Sequence, residues 1–153
     1  MIGNNDKVKG NNNGVYGNRD QVYGDRNQLK GNDDKIKGNN NRLYGNNDRI
    51  DGSYNDVKGN HDHVRGNRND VDGNKDWIYG DSNRVSGNDD KIKGNRNIVY
   101  GDDDVIFGSE NGVKGNDNGV KGDKNQVRGN SNVLIGCDNG VGGDKNKVDG
   151  NKN

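Results

Sequence analysis

The chain has 153 residues, of which 24% are hydrophobic and 31% are charged, and its 24 basic and 24 acidic side chains give a formal net charge of zero. So little apolar surface argues against a globular core of ordinary size. The two signs of charge are mixed along the whole chain, so no charged block predicts a nucleic-acid or membrane partner.

A seven-residue unit repeats along the whole chain. Its first position, a, is glycine in every repeat from Gly3 to Gly150. Position b is Asn, Asp or Ser except at Cys137, and position d is always Asn or Asp. Position f is Val, Ile or Leu from Val8 to Val148, while c, e and g vary. We therefore predict a single domain, residues 1–153, built from 22 heptads of one kind.

One apolar residue per heptad, beside an obligatory glycine and two Asx positions, argues against a coiled coil. Side chains alternate along an extended strand, so d and f are predicted to point inward while c, e and g point outward. The Gly-Asx pair between strands is predicted to form the corner, since glycine accepts positive φ and Asn or Asp satisfies local backbone groups. The predicted strands follow one another in this way from the first heptad to the last.

The number of faces follows from position d, which alternates between Asp and Asn from Asp6 to Asp104. A coil of fourteen residues would stack Asp on Asp and Asn on Asn, whereas a coil of 21 residues would mix them. We therefore predict an all-β, two-faced β-solenoid of about eleven coils of fourteen residues, without terminal caps.

In the predicted roll, the stacked inward aspartates are electrostatically unfavourable. Neighbouring carboxylates about 4.7 Å apart would repel by ~3.5 kcal/mol at an effective dielectric constant of 20. Shared protons with raised pKa values, bound cations such as calcium, or charge compensation by outer basic residues could relieve the repulsion. The basic residues at e and g of these heptads favour the third remedy in part. The candidate cation column comprises Asp6, Asp20, Asp34, Asp48, Asp62, Asp76, Asp90 and Asp104.

The unit x-x-N-x-V-x-G, as in Lys145–Gly150, resembles the repeat of the grass antifreeze or ice-recrystallisation-inhibition proteins. The resemblance covers essentially the whole chain, and it implies a two-faced β-roll of fourteen-residue coils. In that family ice is bound by a flat outer face rich in Thr, Ser and Val at the positions corresponding to e and g. This chain has no Thr and places Lys, Arg, Tyr, Gln and Asp there.

No catalytic constellation is predicted. His61 and His63 both point outward at c and e, but no third metal ligand is fixed nearby, so a solvated pair is the favoured interpretation. Cys137 has no activating base near it in sequence, which favours a chance substitution over a nucleophile. No cofactor is predicted, and calcium at the aspartate column is the alternative.

Apolar residues recur at outer positions of the Asp-containing heptads every 28 residues. A strip of this kind is typical of a lateral contact between rods. It comprises Trp77 and Tyr79, Val105 and Phe107, and Val133 and Ile135, with Tyr23 as an earlier partial member.

These features favour a structural protein that stacks head to tail into filaments, with itself as partner. The junction would join Met1 and Ile2 of one copy to Gly150, Asn151 and Asn153 of the preceding one. Ice binding is the first alternative, and a calcium-stiffened spacer or adhesin stalk is the second. Neither a signal peptide nor a transmembrane segment is predicted, and an extracellular location would suit a natural fibre.

Overall fold

The computed structural model describes residues 6–16, 19–30, 33–42, 47–58, 62–73 and 75–153. Short strands centred on position f alternate with turns that begin near the repeat glycine. The described strands are β1 Asp56–Val57, β2 Asp70–Asp72, β3 Arg84–Ser86, β4 Lys91–Lys93, β5 Ile98–Tyr100, β6 Val105–Phe107, β7 Gly112–Lys114, β8 Gly119–Lys121, β9 Gln126–Arg128, β10 Val133–Ile135, β11 Gly140–Gly142 and β12 Lys147–Asp149.

The strands form two parallel sheets whose partners are fourteen residues apart. One sheet has the order β1-β2-β3-β5-β7-β9-β11, and we call it the Asn sheet because Asn precedes each of its strands at position d. The other has the order β12-β10-β8-β6-β4, and we call it the Asp sheet because the aspartate column lies on its side of the roll. Val99 pairs with Val113, and Ile106 with Val120. The all-β, two-faced roll with a fourteen-residue period is confirmed.

The two sheets extend to different lengths in the described part of the chain. Single bridges Gly14–Gln28, Gln28–Arg42 and Arg42–Asp56 carry the register of the Asn sheet upstream of β1. No strand of the Asp sheet is described before Lys91. Twelve strands at two per turn make about six regular turns. The larger count of eleven coils, and the absence of caps, stay predictions.

The core is one aliphatic residue per heptad, flanked by a polar one. Eighteen Val, Ile and Leu residues at position f are buried, from Val15 to Val141. Position d is buried as well, with Asp20, Asp62 and Asp104 at 0% exposure. The predicted inner row of Asx and aliphatic side chains is therefore confirmed. Because the core is narrow, hydrogen bonds from one turn to the next supply much of its order.

The corner agrees with its prediction in part, since nine repeat glycines from Gly94 to Gly150 adopt positive φ, at 97–151°. Positive φ values of 56–63° fall at non-glycine position c, as at Asp103 and Lys124. The repeat glycine is required for a second reason at most corners, namely close approach between turns. A Cβ on Gly108 would overlap the carbonyl oxygen of Gly122 in the next turn, and a Cβ on Gly24 would meet Gly38 in the same way. Position c tolerates many residue types, but none of them is β-branched, as a left-handed conformation demands.

No helix in the described ranges is long and apolar enough to cross a membrane.

Candidate functional site

The asparagines beside the Asn sheet form a continuous hydrogen-bonded column. The backbone N–H of each Asn from Asn27 to Asn139 donates to the side-chain Oδ1 of the Asn one turn earlier, at 2.8–3.1 Å. The Nδ2 group of each donates to the carbonyl oxygen of a corner glycine in the next turn, at 2.7–2.9 Å. An amide suits this position because it offers a donor and an acceptor together.

The aspartate column lacks those donors, and its hydrogen bonding is poorer. Both carboxyl oxygens of Asp20, Asp48 and Asp76 are buried without a backbone or amide donor. The regular pattern begins only at Asp104, whose N–H donates to Asp90 Oδ1 at 2.9 Å. This change coincides with the first described strand of the Asp sheet, β4. The poorer hydrogen bonding of the aspartates therefore lies on the side of the sheet with fewer described strands.

Burial is the main reason that the pKa values of these carboxyls are raised, and repulsion between neighbours adds to it. The pKa of Asp20 rises to about 8, and those of Asp48 and Asp76 rise to about 9. Asp90 and Asp104 rise less, to about 7 and about 6, because N–H donors from the next turn stabilise their charged forms. Of the three predicted remedies for the repulsion, protonation is the one that these values support.

A second set of bonds runs along the outside of each corner, at position b. In the described ranges, the N–H of each b residue from Asn11 to Cys137 donates to the side chain of the b residue one turn later, as from Asn116 to Asn130 Oδ1 at 2.7 Å. Cys137 interrupts this series: Asp123 N–H meets its Sγ at 3.3 Å. Sulfur is a weak acceptor, so Cys137 occupies a structural position with a poorer partner.

The two outer faces differ in how their charges are paired. On the Asn sheet, basic residues pair with acids on an adjacent turn: Arg42 with Asp56 at 3.7 Å, Lys58 with Asp72 at 3.3 Å, and Arg84 with Asp70 at 3.4 Å. On the Asp sheet, within the described ranges, the basic residues at e and g make no ion pair. These are Lys7, Lys9, Lys35, Lys37, Arg49, Arg65, Lys91, Lys93, Lys121 and Lys147.

The residues predicted as a lateral contact all lie on the outer face of the Asp sheet side. Trp77, Phe107 and Val133 are 46–49% exposed, and Tyr79 and Ile135 are 38% and 43% exposed. Val105 and Tyr23 are half-buried. Cations stack on the aromatic members: Arg65 lies 5.2 Å from the centre of the Tyr79 ring, and Lys91 lies 6.0 Å from that of Trp77. Lys7 and Lys9 approach Tyr23 similarly.

Only some of the residues predicted for metal binding and for the end-to-end junction lie in the described part of the chain. His61, Met1 and Ile2 lie outside the described residues, and the ring of His63 packs against Trp77 at 5.6 Å. In the described ranges no group of three or more His, Cys, Asp or Glu side chains could hold a metal ion. Of the junction residues, Gly150, Asn151 and Asn153 continue the bonding of the preceding turn.

Comparison with known families agrees with this geometry. The family described as grass antifreeze beta roll matches residues 1–80 and again residues 73–153, which together span the chain. The chain belongs to that family. No curated protein matches it significantly. The suspected relationship to the grass antifreeze rolls is thus confirmed, and the family is not one of enzymes.

The outer surface of this grass antifreeze roll differs from the flat face of Thr, Ser and Val that the family resemblance implies. Long side chains such as Lys114 and Arg128 lie at e and g. Sequence reasoning located both inner columns correctly. It missed the difference in ion pairing between the faces, although a signal was present: the Asn heptads carry Asp56, Asp70 and Asp72 at e and g, each fourteen residues from a basic residue.

Proposed function

We propose that this protein binds ice crystals and slows their recrystallisation, using the outer face of the Asn sheet. The observation that carries the proposal is the family match, which extends over every repeat. A rigid roll suits the task because its turns present outer side chains at a constant interval of about 4.7 Å.

The Asn sheet is the better candidate of the two faces for an uncharged crystal. Its parallel pairing continues through seven strands and upstream to Gly14, so its side chains are the more regularly spaced. Its acid-base pairs cancel charge locally. Small residues also make its surface flatter, namely Ser86, Gly112, Gly140 and Gly142. The opposite face carries unpaired, strongly hydrated cations, which hold their own water.

The long side chains that remain on the Asn sheet determine how strongly we expect the protein to act on ice. Lys114 and Arg128 follow Ser86 and Tyr100 in one exposed column of the Asn sheet. Each interrupts a flat contact, so we expect inhibition of recrystallisation at high protein concentration rather than strong arrest of ice growth.

The test removes two cations from one face at a time. The variant Lys114→Thr/Arg128→Thr flattens the Asn face, and Lys121→Thr/Lys147→Thr is the matched control on the Asp face. Exposed strand positions tolerate Thr well. We expect the first variant to inhibit recrystallisation at a severalfold lower concentration than the wild type, and the control to be unchanged. Equal responses would refute the choice of face, and a wild type without any effect on ice grain size would refute ice binding.

Self-assembly is the second candidate, favoured by the exposed apolar residues of the Asp face and by a register that repeats identically from turn to turn. In a stack of copies, the terminal strand of one roll would pair with that of the next. Negative-stain electron microscopy and sedimentation over a hundredfold range of concentration provide the test. Filaments tens of nanometres long support assembly, and a constant monomer mass contradicts it.

A further inference from the structure

The outer face of the Asp sheet side is a strip of unneutralised positive charge. Its e and g positions carry ten basic residues against two acidic ones, Asp51 and Asp149. None of the ten forms an ion pair within the described ranges, whereas three basic residues of the opposite face do. All but the half-buried Arg49 are exposed. This asymmetry is invisible in a net charge of zero.

The inner column neutralises this strip only in part, since Asp90 and Asp104, with pKa values of about 7 and about 6, are the carboxyls that ionise most readily. Asp20, Asp48 and Asp76 have pKa values of about 8 to 9 because of burial, so they are uncharged at pH 7. With these three carboxyls protonated, 24 basic side chains face 21 acidic ones, and the net charge becomes +3.

Apolar side chains alternate with the cations along the same strip. Trp77 and Tyr79, Val105 and Phe107, and Val133 and Ile135 are separated by turns that carry Lys91, Lys93 and Lys121. Two turns separate successive apolar pairs, or roughly 9 Å along the roll. Exposed Trp, Tyr and aliphatic groups mixed with Lys and Arg are the composition that proteins use at the boundary between lipid and water.

We propose that this face docks on the surface of an anionic lipid bilayer, its lysines against the headgroups and its apolar pairs between them. The proposal concerns the face opposite the one assigned to ice, and it departs from the expectation drawn from net charge. A second copy is a poorer occupant, because two such faces would bring like charges together. A soluble polyanion would leave Val133 and Ile135 without a role.

The test is co-sedimentation of the full chain with vesicles of phosphatidylcholine alone or with 30% phosphatidylserine added. We expect binding only to the anionic vesicles, weakening as salt is raised. The variant Lys93→Glu/Lys121→Glu should lose at least about thirtyfold in partitioning, at a factor of roughly five for each cation. Lys114→Glu/Arg128→Glu makes the same charge change on the Asn face and should bind as the wild type does.

A second pair of variants separates lipid from other partners. Val133→Ser/Ile135→Ser should weaken binding to anionic vesicles severalfold, whereas Ile98→Ser/Tyr100→Ser on the opposite face should not. Equal binding to neutral vesicles would overturn the proposal. It would also be overturned if polyglutamate bound as tightly as vesicles with no effect of Val133→Ser/Ile135→Ser, or if the chain sedimented as a dimer through this face without lipid.

Discussion

At each corner of the roll, position c and the repeat glycine meet different structural requirements. Position c adopts the left-handed conformation, at about 59° in Asp103, and this conformation is available to most residues at a modest cost. The repeat glycine brings consecutive turns together, and no side chain can replace the missing Cβ without moving backbone. The invariance of position a is therefore chiefly a packing requirement.

Gly108→Ala should be severely destabilising, because its Cβ would overlap the carbonyl oxygen of Gly122 and its φ is +146°. We expect a loss of about 3 kcal/mol or more in the free energy of unfolding, measured with urea. Gly119→Ala is the matched control, since a Cβ there meets nothing within 4 Å. It should be neutral or stabilise by about 0.5 kcal/mol. Similar effects at the two sites would contradict the close-approach argument.

Cys137→Asn should stabilise the roll, because an amide oxygen would accept the Asp123 N–H that now faces sulfur at 3.3 Å. The expected gain is about 0.5–1.5 kcal/mol, the usual net contribution of one hydrogen bond. Cys137→Ala, which removes the acceptor altogether, should shift the thermal midpoint in the opposite direction. If both variants raise the midpoint, the thiol itself is unfavourable for another reason.

At the scale of the elements, the identity of position d determines how completely the inner column is hydrogen-bonded. The Asn column is fully bonded from Asn27 to Asn139, and its sheet is the longer. The second sheet becomes regular where Asp gives way to donors, from Asp104 to Asn118 and onward. Two columns beside the same aliphatic core thus differ in hydrogen bonding because one polar position differs.

The variant Asp76→Asn/Asp90→Asn/Asp104→Asn would extend the Asn run that begins at Asn118. We expect it to fold, to be at least about 3 kcal/mol more stable at pH 8, and to show protected amides upstream of Lys91 in hydrogen exchange. The reverse change, Asn97→Asp, should destabilise the roll at pH 8 and much less at pH 4. A triple variant that fails to fold would show that the carboxyls have a specific structural role.

For the whole molecule, the buried carboxyls link stability to pH. A folded-state pKa above the unfolded value of about 3.9 means that the folded state binds more protons between the two values. Stability is therefore fully present below about pH 4 and is lost as pH rises toward 9, the value reached by Asp48 and Asp76. Asp90 alone, with a pKa of about 7, would contribute on the order of 4 kcal/mol to this loss.

Urea unfolding at half-unit steps from pH 4 to pH 9 measures this linkage. We expect the free energy of unfolding to fall steadily over that range, opposite in direction to the acid denaturation of most proteins. The triple Asp→Asn variant should flatten the curve. A wild-type stability that rises with pH would contradict protonated carboxyls and would indicate that cations or the outer basic residues neutralise the column.

The sequence alone determined the fold, because strict spacing of Gly, Asx and aliphatic residues leaves only one period and one alternation of faces consistent with it. It also identified position d as inward and predicted repulsion among the stacked carboxyls. The difference in ion pairing between the two faces was decided only by the tertiary structure, since pairs such as Arg84 with Asp70 depend on which turns become neighbours. The same holds for the corner, where the contact of Gly108 with Gly122 exists only after fourteen residues have closed a turn.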